Sequence, residues 1–76
     1  MNDSTRTLDA RGLNCPLPIL KTRKALNAMN SRETLQVVAT DPGSVKDINA
    51  FCEQTGHRLV STQQSGAEHI FMIRKA

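Results

Sequence analysis

Apolar residues recur along this chain at two spacings, and those spacings mark out its elements. Between Pro16 and Met29, Ile19, Thr22, Ala25, Leu26 and Met29 fall on one arc of a helical wheel, the mark of a helix with one buried face. Leu17, Lys21 and Lys24 share the opposite arc, with Leu20 and Arg23 on one flank, and Asn30-Ser31 ends the segment. From Glu33 to Thr40 the period drops to two. Leu35, Val37 and Ala39 alternate with Gln36, Val38 and Thr40, which predicts a strand with one strongly apolar face. Asp41-Pro42-Gly43 reads as a turn, and Ser44 followed three residues later by Asp47 resembles a capping box. Val45, Ile48, Phe51 and Cys52 then share a helical arc, which Gly56 is placed to stop. Arg58 to Gln64 and Glu68 to Lys75 read as two strands joined around Ser65-Gly66, and Thr5 to Asp9 as a first strand before an Arg11-Gly12 turn.

The element order is therefore βαβαββ. A strand–helix–strand unit favours parallel pairing and the closing hairpin is antiparallel. The expected fold class is α/β (α+β), a two-layer sandwich in which a four-stranded mixed sheet carries two helices on one face. Its 76 residues suit one domain spanning 1–76, with residues 1–4 expected to lack order. A domain of this size buries only about 60% of its unfolded surface.

Composition narrows the chemistry. Trp and Tyr are absent and Phe51 and Phe71 are the only phenylalanines, so the core must be largely aliphatic. No apolar run approaches the roughly 20 residues of a bilayer span, and Met1 to Thr7 lacks the apolar centre of a signal peptide. A cytoplasmic location is expected. Net charge is +3, spread along the chain. That mild excess permits steering toward an acidic partner without requiring one.

The two cysteines are 37 positions apart and differ in kind. Cys52 lies among apolar residues on a helix, where a packing thiol is the expectation and a resolving role has no support from spacing. Cys15 stands before Pro16 and Pro18. Proline suits the first helical turn, so Cys15 reads as the N-cap, with the prolines at the first and third helical positions. The helix dipole would there favour thiolate over thiol, while the prolines leave only the N–H of Leu17 in that turn to blunt the sulfur.

The run Leu8-Asp9-Ala10-Arg11-Gly12-Leu13-Asn14-Cys15-Pro16-Leu17-Pro18 resembles the signature of the TusA/SirA-like sulfur carriers. Asp41-Pro42-Gly43 with Asp47 and Ile48 following, Gly56-His57, and the closing Ile73-Arg74-Lys75 match in register, so the resemblance covers about residues 6 to 75. Leu17 departs from the pattern, since some family members carry Glu there, and that bears on partner choice. The resemblance implies that Cys15 is the catalytic residue. It would accept a sulfane sulfur from a cysteine desulfurase as a persulfide and pass it to an acceptor protein, with no cofactor. A tRNA 2-thiouridine relay is the favoured destination, ahead of molybdenum cofactor enzymes and sulfur oxidation. A monomer is expected, without direct nucleic-acid or membrane binding.

Asp9, Gly12, Pro16 and Pro18 would support Cys15, with Asp41 shaping a neighbouring loop and Gly12 supplying a backbone conformation that other residues resist. Leu17, Leu20, Lys21, Arg23 and Lys24 admit two readings of equal weight: a solvated helix face, or a docking surface beside the cysteine. His57 and His69 show none of the short paired spacings of a zinc site with the cysteines. His57 is expected at a strand start and His69 on one face of the last strand. A small RNA-binding module competes with the carrier reading, but aromatics for base stacking are nearly absent and no glycine-rich clamp appears. A thiol redox protein would want the second nearby cysteine of a Cys-x-x-Cys pair.

Overall fold

A computed structural model describes residues 5–76; the expectation for residues 1–4 lies outside them. Six elements follow in order: β1 (Thr5–Ala10), α1 (Leu17–Asn27), β2 (Thr34–Ala39), α2 (Ser44–Thr55), β3 (Arg58–Ser65) and β4 (Glu68–Arg74). The strands make one sheet in the order β1-β2-β4-β3. β1 runs parallel to β2, with Leu8 opposite Val37 and Ala10 opposite Ala39. β4 is antiparallel to both of its neighbours. α1 packs on β1 and β2, α2 on β3 and β4, and the helices touch each other. This is the mixed sheet with two helices on one face that the hydrophobic periods imply.

The core lies between the two layers. Leu35, Val37 and Ala39 of β2 and Phe71 and Ile73 of β4 meet Leu26 and Met29 from the α1 side and Ile48, Phe51 and Cys52 from α2. Each of the larger ones, Leu, Ile, Val, Met or Phe, contributes about 1.5–3 kcal/mol by leaving water. Thr22, on the buried arc of α1, is fully covered and satisfies its hydroxyl by donating to the Pro18 carbonyl at 2.7 Å.

Three local expectations are corrected. α1 begins at Leu17, not Pro16, and its N-cap is Pro16, not Cys15. The Leu17 N–H closes a turn onto the Asn14 carbonyl at 2.8 Å, so the chain enters the helix one residue later, and Pro18 takes the second helical position. α1 also ends at Asn27, short of Met29, as its last turn tightens with Ala28 N–H bonded to Ala25 and Met29 N–H to Leu26. The Lys75 ammonium, donating to the Leu26 carbonyl at 2.6 Å, closes that end. The closing Ile73-Arg74-Lys75 segment thus has a structural task.

The capping box at α2 does not form. Gly43 is the N-cap and no side chain caps the helix; the Ser44 hydroxyl instead donates to the Asp41 carbonyl at 2.6 Å, and the Asp47 carboxylate is engaged elsewhere. Gly56 does end α2, in a left-handed conformation at φ 83°. β3 forms as expected, and its pairing with β4 shifts register between Leu59 and Ser61. Val60, inside that shift, is 53% exposed.

Candidate functional site

Parallel pairing of β1 and β2 brings the segments that leave their C-terminal ends to one edge of the sheet. The first runs from Arg11 to Pro16, the second from Thr40 to Gly43. Asp9 fixes the first turn, since its carboxylate accepts the Arg11 backbone N–H at 3.0 Å and the Arg11 guanidinium at 2.9 and 3.1 Å, a local loop that Asp forms readily. These hydrogen bonds hold the Asp9 carboxyl at about 2, well below its usual range. Gly12 follows at φ 78°, as the sequence implies, and its N–H donates to the Thr40 hydroxyl at 2.9 Å. The two segments are thereby laced together.

Cys15 stands on this lacing. It is exposed, and its backbone N–H donates to Asp41 Oδ2 at 3.1 Å. Its Sγ donates to Asp47 Oδ2, on the first turn of α2, at 3.0 Å. The Cys15–Pro16 peptide is cis. These neighbours reverse the expected electrostatics. The hydrogen bond to Asp47 comes first, then partial burial and the negative charges of Asp47 and Asp41, and together they push the thiol above its ordinary range. A helix start tends to lower a thiol's pKa, and the two carboxylates act in the opposite direction. The one N–H left free by the prolines, that of Leu17, is spent on Asn14 and does not reach the sulfur.

Beside Cys15 a groove of about 250 Å³ opens between the helices. Ile19 and Arg23 of α1 line one side, and Asp47, Phe51 and Gln54 of α2 the other, with Cys15 and Pro16 at the end. The Arg23 guanidinium carbon sits 5.7 Å from the Phe51 ring centroid, within range of a cation–π contact. Arg23 therefore leaves the company assigned to it. Leu17, Leu20, Lys21 and Lys24 are exposed on α1 outside the groove, with Leu17 at 45% and Leu20 at 51%.

The remaining candidates lie apart. Cys52 is buried and free, its thiol pushed up by burial. His57 precedes β3, stacks at a tilt on Phe51 and accepts the Ala76 N–H at 3.0 Å; burial, then the charge of Lys75, lowers its pKa. His69 lies on β4. Among the described residues no cluster of His, Cys, Asp and Glu could hold a metal ion.

Asp47 is the residue that pattern reading missed. It was visible within the motif, three residues after Ser44, but nothing local distinguishes a cap from a partner 32 positions distant.

The family description Sulfurtransferase TusA fits residues 6–75. The chain belongs to this family. It is 54% identical, over the whole length of both chains, to the sulfur carrier protein TusA of Allochromatium vinosum. A provisionally named sulfur carrier protein of Neisseria meningitidis serogroup A is 50% identical over 64 residues, spanning 83% of this chain and 86% of that one. The crystal structure of a SirA-like protein from Desulfitobacterium hafniense superposes with a TM-score of 0.78 over 90% of this chain and 93% of that chain, at 21% identity, which speaks for the fold. A TusA-family sulfur carrier must meet a donor and an acceptor of sulfur. The groove lies beside the sole exposed cysteine of this one.

Proposed function

We propose that this carrier moves sulfur as a Cys15 persulfide, taking it from a cysteine desulfurase and handing it to an acceptor protein in a tRNA 2-thiouridine relay. The observation that carries the reading is the contrast between the cysteines: Cys15 is exposed beside a groove and Cys52 is packed in the core. The thiol sulfur attacks the outer sulfur of the donor persulfide R–S–SH. A new Cys15 S–S bond forms, the donor S–S bond breaks, and the donor leaves as R–SH with the proton that Cys15 gave up. No net oxidation occurs, so no cofactor enters. Delivery repeats the step with Cys15 as donor.

Asp9, Gly12, Pro16 and Pro18 hold Cys15 in place, through the turn at Arg11-Gly12 and the entry to α1. Leu17, Leu20, Lys21 and Lys24 offer a mixed apolar and basic surface one helical face away, and Arg23 a cation inside the groove. A reducing compartment such as the cytoplasm keeps Cys15 available as a thiol. The destination is tested in a bacterial strain deleted for its own TusA-type carrier. The wild-type chain should restore 2-thiouridine in tRNA and Cys15→Ser should not; no restoration by the wild-type chain, expressed and folded, would direct the search to another acceptor.

A further inference from the structure

We infer that Asp47 is a positioning residue that distinguishes the empty carrier from the loaded one. Its carboxylate retains the neutral Cys15 thiol and releases the longer, anionic persulfide into the groove beside Ile19 and Arg23. This deepens the carrier reading and rests on it.

The geometry supplies both halves. In the empty carrier the Cys15 Sγ donates its proton to Asp47 Oδ2 at 3.0 Å. That bond exists only while the sulfur carries hydrogen, because a carboxylate accepts and does not donate. A hydropersulfide is a stronger acid than its parent thiol, so loading replaces a donor with an anion. An anion at the same place would face Asp47 and, through the loop that holds the Cys15 N–H, Asp41; like charges at such separation repel. The groove offers the alternative position. It runs from Cys15 between α1 and α2, has Ile19 and Phe51 as apolar walls, and holds the Arg23 guanidinium. It takes a polarizable sulfur beside a cation, where the charged groups lining it are Arg23 and, on the opposite wall, Asp47. The consequence is directional: an empty carrier keeps its sulfur guarded against stray electrophiles, and a loaded one presents the transferable sulfur.

The test compares alkylation at Cys15 in wild type and Asp47→Asn, each empty and each loaded with inorganic polysulfide, with sites read by peptide mass. That substitution removes the charge and keeps the shape. The empty Asp47→Asn thiol should alkylate faster at about pH 7, approaching tenfold for each pKa unit recovered, with its pH profile moved to lower pH. The loaded forms should differ less than the empty ones, since an ionised persulfide has no hydrogen for the carboxylate to accept. An empty-carrier profile identical to wild type, or a loaded carrier altered as much as the empty one, would overturn the proposal. The wild-type protein gives a second reading that needs no variant: the Asp47 carboxyl carbon resonance should shift on loading, and an unmoved resonance counts against release. The empty arm requires no donor, so a failed transfer from a desulfurase would strike the carrier reading and leave this one standing or falling by itself.

Discussion

The Asp41 carboxylate accepts the backbone N–H of Cys15 at 3.1 Å across 26 positions of sequence. That single bond ties the entry of α1 to the segment leaving β2, and it sets where the sulfur stands relative to α2. Asp41→Ala should leave the fold intact and cost about 1 kcal/mol, the net worth of one hydrogen bond. Its larger effect should be on function, because an untethered Cys15 samples orientations away from the groove. Denaturant melts and a sulfur-transfer rate, measured side by side, check this; equal losses in both would mean that Asp41 acts only on stability.

Cys52 divides packing from chemistry. Its side chain is 5% exposed among Ile48, Phe51 and their neighbours. Cys52→Ala should therefore lower stability by about 1–2 kcal/mol through lost burial. Cys52→Ser should cost about 1–3 kcal/mol wherever the new hydroxyl finds no partner. Neither should change sulfur loading at Cys15, which intact mass would report.

Lys75 closes α1 from the far end of the chain through its 2.6 Å bond to the Leu26 carbonyl. Lys75→Met keeps much of the stem and removes the donor. A loss of about 1–2 kcal/mol is expected, the range between an ordinary and a charged hydrogen bond, with faster amide exchange in the last turn of α1. Loading at Cys15, at the other end of the helix, should persist.

The turn before Cys15 carries a pH dependence with a definite sign. The Asp9 carboxyl is lowered from 3.8 to about 2 by the Arg11 side chain and backbone. A depressed carboxylate stabilises the folded state above its unfolded value, and that contribution is lost as pH falls from about 4 to about 2. Because both side chains of the pair are more than half exposed, salt should weaken the effect. Asp9→Asn should flatten the acid limb of a stability–pH curve at low ionic strength and alter it little in high salt.

Much of this architecture was legible because the signals were local. The period-two alternation from Leu35 to Ala39 and the arc of Ile48, Phe51 and Cys52 point into the core as expected, and Gly56 stops α2 with the left-handed backbone that glycine accepts. What escaped pattern reading depends on contacts made only after folding. Asp47 at a helix start looks like a cap, and it becomes the sulfur's partner only because α2 packs beside the entry of α1. Arg23 sits on the flank of a basic face by sequence, yet Phe51 on the neighbouring helix draws it into the groove. The same is true of the thiol itself. Its place before a proline-led helix suggests an activated sulfur, whereas two carboxylates brought from β2's exit and α2 push its pKa up.

The most direct measurement is intact-protein mass spectrometry of the reduced chain after incubation with a cysteine desulfurase and free cysteine. A gain of one sulfur atom, reversed by dithiothreitol, present in Cys52→Ala and absent in Cys15→Ser, is the predicted result. A gain that survives in Cys15→Ser, or none in the wild-type chain while the same desulfurase loads another carrier, would contradict the assignment of Cys15 as the residue that takes sulfur from this class of donor.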